Sequence, residues 1–215
     1  MRKDIAEHLL KSRYCQPGET GWYDICRRVS RALSNQSERD EFYDVMQKKL
    51  FIPNSPTLMN AGTDVSQLSA CFVLPIDDPG SIDTIVSTAM EIHQSGGGTG
   101  FSFGKLCPPF SRNKSLSTVL SVMNIIDKKT EVSKRKGRRR GANIAVLPVW
   151  HPEIIDFINC KRIDGVLPNF NISVAITDDF LERVIADGDQ EYRLACNDRD
   201  EGRKIDPKAL FRQMC

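Results

Sequence analysis

The sequence predicts an α/β protein, a helical amino-terminal region followed by the first part of a largely parallel sheet or barrel that is left incomplete. Apolar residues repeat at helical spacing through residues 1–52, Pro53 and Pro56 break that pattern, and short apolar runs then alternate with helical stripes through 53–215. The expected division is a helical region over 1–52 and a sheet-forming region over 53–215.

In chain order, Ile5, Leu9 and Leu10 share one helix face, and Ile25, Val29, Ala32 and Leu33 make a second stripe. Ser37 followed by Asp40 resembles a capping box that opens a helix through Phe42, Val45, Met46 and Leu50. Pro53 and Pro56 then deny the backbone donors and conformations a helix needs. Leu68–Pro75 reads as a strand, and Ile82, Ile85, Val86, Ala89 and Ile92 as the apolar stripe of the next helix, which Ser95–Gly100 breaks. Asn143–Val149 is a short apolar strand, and His151–Lys161 a helix with Pro152 in its first turn. Asn171–Ile176 is a strand, Asp178–Asp187 a helix capped by Thr177, and Glu191–Cys196 another strand before a last helix from about Pro207.

Hydrophobic residues at 40% and charged residues at 27% are those of a folded globular chain. No apolar run approaches the roughly 18 residues that cross a bilayer, and charges follow Met1 where a signal peptide would have its apolar core, so a cytoplasmic protein without a membrane partner is expected. The seven cysteines are irregularly spaced, with no Cys-x-x-Cys pair and no histidine at zinc spacing, so neither a structural metal site nor a secreted disulfide framework is expected. Net charge is only +2, yet eight of the thirteen residues from Lys128 to Arg140 are basic. That block suits phosphate binding or a solvated loop equally well. It lacks interleaved aromatics for base stacking, which disfavours a nucleic-acid partner.

Four segments could carry chemistry. Ser95-Gly-Gly-Gly-Thr-Gly100 could bring backbone amides close to an anion or form a tight connection, and it matches neither the dinucleotide fingerprint nor the phosphate loop. Cys71, between apolar neighbours, reads either as a small buried hydrophobe or as a redox cysteine. Asp77 and Asp78 could bind a ribose, a base or a metal, or form a solvated turn. His93 and His151 have no nucleophile near them in sequence and read as structural or surface residues.

Five segments in order resemble the ribonucleotide reductase large subunit, and most closely its adenosylcobalamin-dependent branch. They are Pro53-Asn-Ser-Pro-Thr-Leu-Met-Asn-Ala-Gly62, Leu68-Ser-Ala-Cys-Phe-Val-Leu-Pro75, Ser95-Gly-Gly-Gly-Thr-Gly-Phe-Ser-Phe103, Arg138-Arg-Arg-Gly-Ala-Asn143 and Asn169-Phe-Asn-Ile-Ser-Val-Ala-Ile-Thr-Asp178. The resemblance implies a ten-stranded α/β barrel behind a helical region, of which this chain holds the first portion. It implies radical reduction of the ribonucleotide 2′-hydroxyl, with the cofactor making the radical. Residue by residue, Cys71 resembles the reductant cysteine that ends in a disulfide. Ser55, Ala70, Cys71 and Gly98 resemble substrate-binding positions, and Asp78 and Lys105 resemble positions near a nucleoside triphosphate effector.

The implied partners are a ribonucleotide substrate, a deoxynucleoside triphosphate effector, a thioredoxin-like reductant and a second polypeptide completing the barrel. Adenosylcobalamin is implied by the branch, with no residue here identified as binding it. The sequence departs from the family pattern in three ways. The Asn-x-Cys-x-Glu segment with the thiyl cysteine has no counterpart, Cys107 stands where relatives have arginine, and Leu116–Asn124 is shorter than the usual loop. An enzyme fragment or split subunit, inactive alone, is therefore expected, the alternative being a non-catalytic nucleotide-binding or regulatory module derived from the reductase.

Overall fold

Apolar helix faces that bury one another account for the first of two units in this computed structural model, which describes residues 2–76, 79–107, 118–132, 141–196 and 202–215. The described residues of the first unit lie within 2–72 and 92–98; those of the second lie within 73–91, 99–132 and 141–215. Four helices form the first unit, α1 (Arg2–Arg13), α2 (Trp22–Leu33), α3 (Arg39–Gln47) and α4 (Ser55–Asn60). Its core is Ile25, Cys26 and Val29 of α2, Met46 of α3, and Leu58 and Ala61 at the end of α4, with Leu10, Tyr14 and Phe42 packed around them. The buried stripe of α2 thus runs through Cys26 and Ser30, and Leu33, expected on it, is exposed.

A partly buried ion pair fastens this unit. The Arg28 guanidinium donates to Glu19 at 2.7 Å and to the carbonyls of Ala61 (2.6 Å), Leu58 (3.0 Å) and Tyr14 (3.2 Å). Carbonyls at the end of α4, which have no partner within the helix, are therefore satisfied by a planar fork of donors. The capping box expected at Ser37 does not form. The Asn35 side chain instead accepts from the Ser37 and Glu38 amides at 3.1 and 3.0 Å, and α3 begins two residues after Ser37 and ends at Gln47. An Asx turn two residues upstream has outcompeted the serine.

The second unit continues two strands that start in the first, β1 (Cys71–Pro75) and β2 (Gly98–Ser102), in a four-stranded sheet of order β1-β2-β3-β4 completed by β3 (Asn143–Pro148) and β4 (Phe170–Ala175). β2, β3 and β4 are parallel, with Thr99 opposite Asn143 and Asn143 opposite Phe170. Parallel neighbours need crossovers, here α6 (Thr118–Val132) between β2 and β3, and α7 (Ile154–Asn159) between β3 and β4. α5 (Ile82–Gln94) joins β1 to β2, and α8 (Asp178–Ile185), β5 (Tyr192–Leu194), β6 (Arg203–Ile205) and α9 (Pro207–Met214) follow. The fold is a helical amino-terminal region with a partial parallel α/β sheet, as expected. β2 and α6 were not expected: β2 hides in the glycine block, and Thr118–Asn124, read as part of a shortened loop, is helical. The strand expected over Glu191–Cys196 is shorter and pairs antiparallel with β6 outside the parallel sheet. Among the described residues no helix is long and apolar enough to cross a membrane.

A buried polar network sets the strand register. The Asn143 side chain accepts from the Thr99 hydroxyl at 2.7 Å and donates to the Thr130 hydroxyl and the Asn169 carbonyl, both at 3.1 Å. The Asn169 amide donates to Asp127 of α6 at 2.9 Å. β2, β3, α6 and the residue before β4 are thus joined at one level. At the far end of α6, the Glu153 carboxylate accepts from the Thr118 and Val119 amides at 2.8 and 2.9 Å, capping the helix and opposing its positive end. The Glu153 amide donates to His151 Nδ1 at 3.1 Å, and His151 Nε2 faces the Leu106 carbonyl at 3.3 Å. A Cys107–Cys196 disulfide, spanning 89 residues, ties the end of β2 to the end of β5. On chain-entropy grounds a loop of that length stabilises the fold by about 4–5 kcal/mol.

Three outcomes are expected. Arg28→Met should cost about 2–4 kcal/mol in urea unfolding, because it strands Glu19 and the Leu58 and Ala61 carbonyls; a loss under 1 kcal/mol would contradict the role given to Arg28. Asn143→Leu should cost about 2–3 kcal/mol by removing three buried side-chain hydrogen bonds, to Thr99, Thr130 and the Asn169 carbonyl, and an unchanged midpoint would refute it. Burial lowers the pKa of His93 and His151 below the ordinary 6.5. The unfolded chain therefore takes up protons first, so stability is full above about pH 6.5 and falls as pH drops toward the lowered values. The thermal midpoint should drop between pH 7 and 5, less steeply in His151→Gln, and a flat profile would exclude this linkage.

Candidate functional site

Four residues singled out in the sequence, Ser55, Ala70, Cys71 and Gly98, fall in the first unit. Ser55 opens α4 because Asn54 caps it, its side chain accepting from the Thr57 amide at 3.0 Å, with Pro56 in the first turn where no amide donor is needed. The half-buried Ser55 hydroxyl shares a 3.0 Å hydrogen bond with the Tyr14 hydroxyl. From α4 two side chains reach the segment leading into β1: Thr57 donates to the Leu68 carbonyl at 2.9 Å and Asn60 to the Gln67 carbonyl at 2.7 Å. The Gln67 side chain accepts from the Ser95 hydroxyl, and Gly98 N–H donates to the Ala70 carbonyl at 2.8 Å. Ala70 and Gly98 are thus directly bonded, and Ser55 is held to the same segment through its own helix.

The glycine block works differently from an anion cradle. Gly97 N–H donates to the Ile92 carbonyl at 2.9 Å and Gly96 N–H to the His93 carbonyl at 3.1 Å, with Gly96 at φ +93°. This is a Schellman ending for α5, with glycine in the left-handed position. A Cβ on Gly97 would lie 2.7 Å from both the Gln67 amide nitrogen and Ile92 Cγ2, so only glycine fits. The amides of Gly96, Gly97 and Gly98 all bond to backbone carbonyls, and the Thr99 amide bonds to the Ala142 carbonyl at 3.0 Å. The tight-connection reading therefore accounts for these amides, and they are not aimed at a ligand.

Cys71 is the first residue of β1, a free cysteine and exposed, which overturns the buried-hydrophobe reading. Its neighbour Ala70 is pinned by Gly98, so the strand start is fixed while the thiol stays open. Cys26 lies fully buried, and desolvation pushes its thiol up to about 11. Burial also raises the Cys15 and Cys160 thiols, the acids Glu19 and Asp24 adding to the effect on Cys15. These three stay protonated at neutral pH and are poor nucleophiles. Lys105 is exposed and belongs to the second unit. Asp77, Asp78 and the basic residues from 133 to 140 lie outside the described residues.

Sequence reasoning missed Tyr14, Gln67 and Ser95, whose partners lie 28 to 41 residues away and leave no local signal. It also missed the juxtaposition of Cys107, Cys196 and His151, whose ligand atoms lie within 4.8 Å of one another. No spacing rule would have joined them. Three cavities among the described residues, one of about 600 Å³ and two of about 410 Å³, are lined chiefly by charged residues between Asp179 and Lys208 or by residues such as Leu33 of α2 and Phe42 of α3, and Cys71 lines none of these three.

Comparison with known proteins matches residues 1–66 to the ribonucleotide reductase all-alpha domain and residues 69–208 to the ribonucleotide reductase barrel domain. The chain is 49% identical over 152 residues to a vitamin B12-dependent ribonucleoside-diphosphate reductase of Thermoplasma acidophilum, covering 67% of this chain and 20% of that protein. A vitamin B12-dependent ribonucleoside-diphosphate reductase of Mycobacterium tuberculosis is 42% identical over 198 residues, covering 84% of this chain and 28% of that protein. The large subunit of a ribonucleoside-diphosphate reductase of Dictyostelium discoideum is 31% identical over 174 residues, 74% of this chain and 19% of its own length. The chain thus spans from 19% to 28% of the length of these relatives. With one family domain matched across the helices and a second across the sheet, the chain belongs to the ribonucleotide reductase large-subunit family.

Proposed function

We propose that this chain contributes the substrate side of ribonucleotide reduction, with Cys71 as one of two reductant cysteines. The observation that carries this reading is the Cys71 thiol itself, free and exposed at a strand start fixed by the Ala70–Gly98 bond, while Cys15, Cys26 and Cys160 have thiols raised by burial.

In the reaction, Cys71 and a second thiol together give two electrons and two protons to the substrate. The 2′ carbon–oxygen bond breaks, the oxygen leaves as water, a carbon–hydrogen bond replaces it, and the two sulfurs join. Exchange with an external dithiol then restores both thiols, and an exposed Cys71 is open to that exchange. The radical-bearing cysteine comes from a segment with the Asn-x-Cys-x-Glu pattern, which these 215 residues lack, and the second reductant thiol is a further cysteine outside them. The remainder of the barrel, on the same polypeptide or a second one, would supply both. Ser55 would orient the substrate through its hydroxyl, poised by Tyr14. Gly98 would act through its missing side chain, since its amide is engaged, and Lys105 with Asp78 would face a nucleoside triphosphate effector. Adenosylcobalamin is the cofactor of this reading, and it would supply the radical.

With the remainder of the barrel, cobalamin and a dithiol present, Cys71→Ser should abolish multiple turnover while substrate binding by calorimetry persists. The 215-residue chain alone should show no turnover. Sustained deoxyribonucleotide formation by Cys71→Ser, or by the chain alone, would overturn the assignment.

A further inference from the structure

We propose that Cys107 and Cys196 form a second thiol–disulfide site, independent of Cys71, that dithiols open and low-molecular-weight disulfides close. The two Cα atoms lie 5.9 Å apart, within the span a disulfide bridges, and each cysteine is only half-buried, so a reductant can reach the sulfurs.

The two halves are held in place without the bond between them. Leu106, 1% exposed, donates its amide to the Phe103 carbonyl at 3.0 Å, which fixes the backbone just before Cys107. Leu194, fully buried, pairs with Arg203 across the β5–β6 hairpin, and the Ala195 amide donates to the Trp150 carbonyl at 2.9 Å just before Cys196. Opening the bond therefore leaves two thiols still facing each other, the condition for closing it again. The opened state also has a partner waiting, since Cys107 Sγ lies 3.9 Å from the Gly104 carbonyl, which a thiol proton can approach.

His151, fully buried beside both sulfurs, raises the question of a metal held by the two thiolates and the imidazole. Both ring nitrogens are already engaged, Nδ1 by the Glu153 amide at 3.1 Å and Nε2 by the Leu106 carbonyl at 3.3 Å. A metal would have to displace one of these contacts, one of them part of the chain of bonds that ends in the α6 cap, whereas thiol–disulfide exchange disturbs neither.

The chemistry balances. A dithiol's thiolate attacks one sulfur, the other leaves as thiolate, and the dithiol's second sulfur displaces the first, so two electrons and two protons pass from the dithiol to the cysteine pair. Closing runs in reverse against a small disulfide such as oxidised glutathione. Where thiol reductants are abundant, bonds of this kind are made and broken rather than permanent.

The test uses the 215-residue chain equilibrated in glutathione or dithiothreitol buffers of graded ratio, trapped with iodoacetamide and read by peptide mass spectrometry. The 107–196 pair is expected to open and close reversibly with a two-electron dependence on the buffer ratio. The thermal midpoint should fall on the order of 10 °C when it opens. Cys107→Ser and Cys196→Ser should each sit at the lower midpoint and ignore the buffer, and Cys71→Ser should follow it as the unsubstituted chain does. Three results would overturn the proposal: both cysteines alkylated in oxidising buffer, a pair that stays joined in the folded chain at excess dithiol, or stoichiometric zinc retained by the reduced chain and lost in Cys196→Ser. Because Cys71→Ser is followed separately, failure here is distinguishable from failure of the Cys71 assignment.

Discussion

The Asn143 side-chain amide, 2% exposed, is held by the Thr99 hydroxyl, the Thr130 hydroxyl and the Asn169 carbonyl, and much of the second unit follows from that position. Burial alternates along β3, so a one-residue shift already turns its apolar residues outward, and the buried amide adds to that constraint. A one-residue slip of β2 or β4 against β3 would leave donors and acceptors without partners in a medium where each costs about 1–3 kcal/mol. The apolar layer of Phe101, Ala145, Leu147 and Phe170 can then pack on a sheet whose alignment is already decided.

In the first unit the same logic works through backbone carbonyls. Arg28 gathers the end of α4 and the turn after α1, and Thr57 and Asn60 carry that order to Leu68 and Gln67. The chain reaches Cys71 on a path held by hydrogen bonds at nearly every second residue. The glycine block completes the path by ending α5 and donating to Ala70. The amides of Gly96, Gly97 and Gly98 serve a close approach of protein to protein.

Much of this was legible in the sequence, for identifiable reasons. β3 and β4 are short apolar runs bounded by turns, and Thr177 does cap α8, accepting from the Phe180 amide at 3.3 Å. β2 was not legible because Gly98, Thr99 and Gly100 carry little strand propensity, and pairing with β3 overrides it. The Ser37 cap failed because Asn35, an equally good local acceptor, offered a competing turn. Ser55, Ala70, Cys71 and Gly98 came from resemblance, and spacing alone left Cys71 between a buried hydrophobe and a redox cysteine, of which its exposure removes the first. The Cys107–Cys196 pairing, 89 residues apart, could not be read from either partner.

The carboxylate that caps α6 has a consequence for how the chain acquires its structure. Glu153 lies 35 residues after Thr118, beyond the whole of β3. During synthesis α6 therefore emerges well before the group that satisfies its first amides, and its nucleation is correspondingly uphill. Only when β3 has been laid down and the turn at His151 has closed does the helix gain its cap. Helix, strand and turn are thus expected to form as one cooperative folding unit, in which the order of appearance on the ribosome and the order of consolidation are not the same.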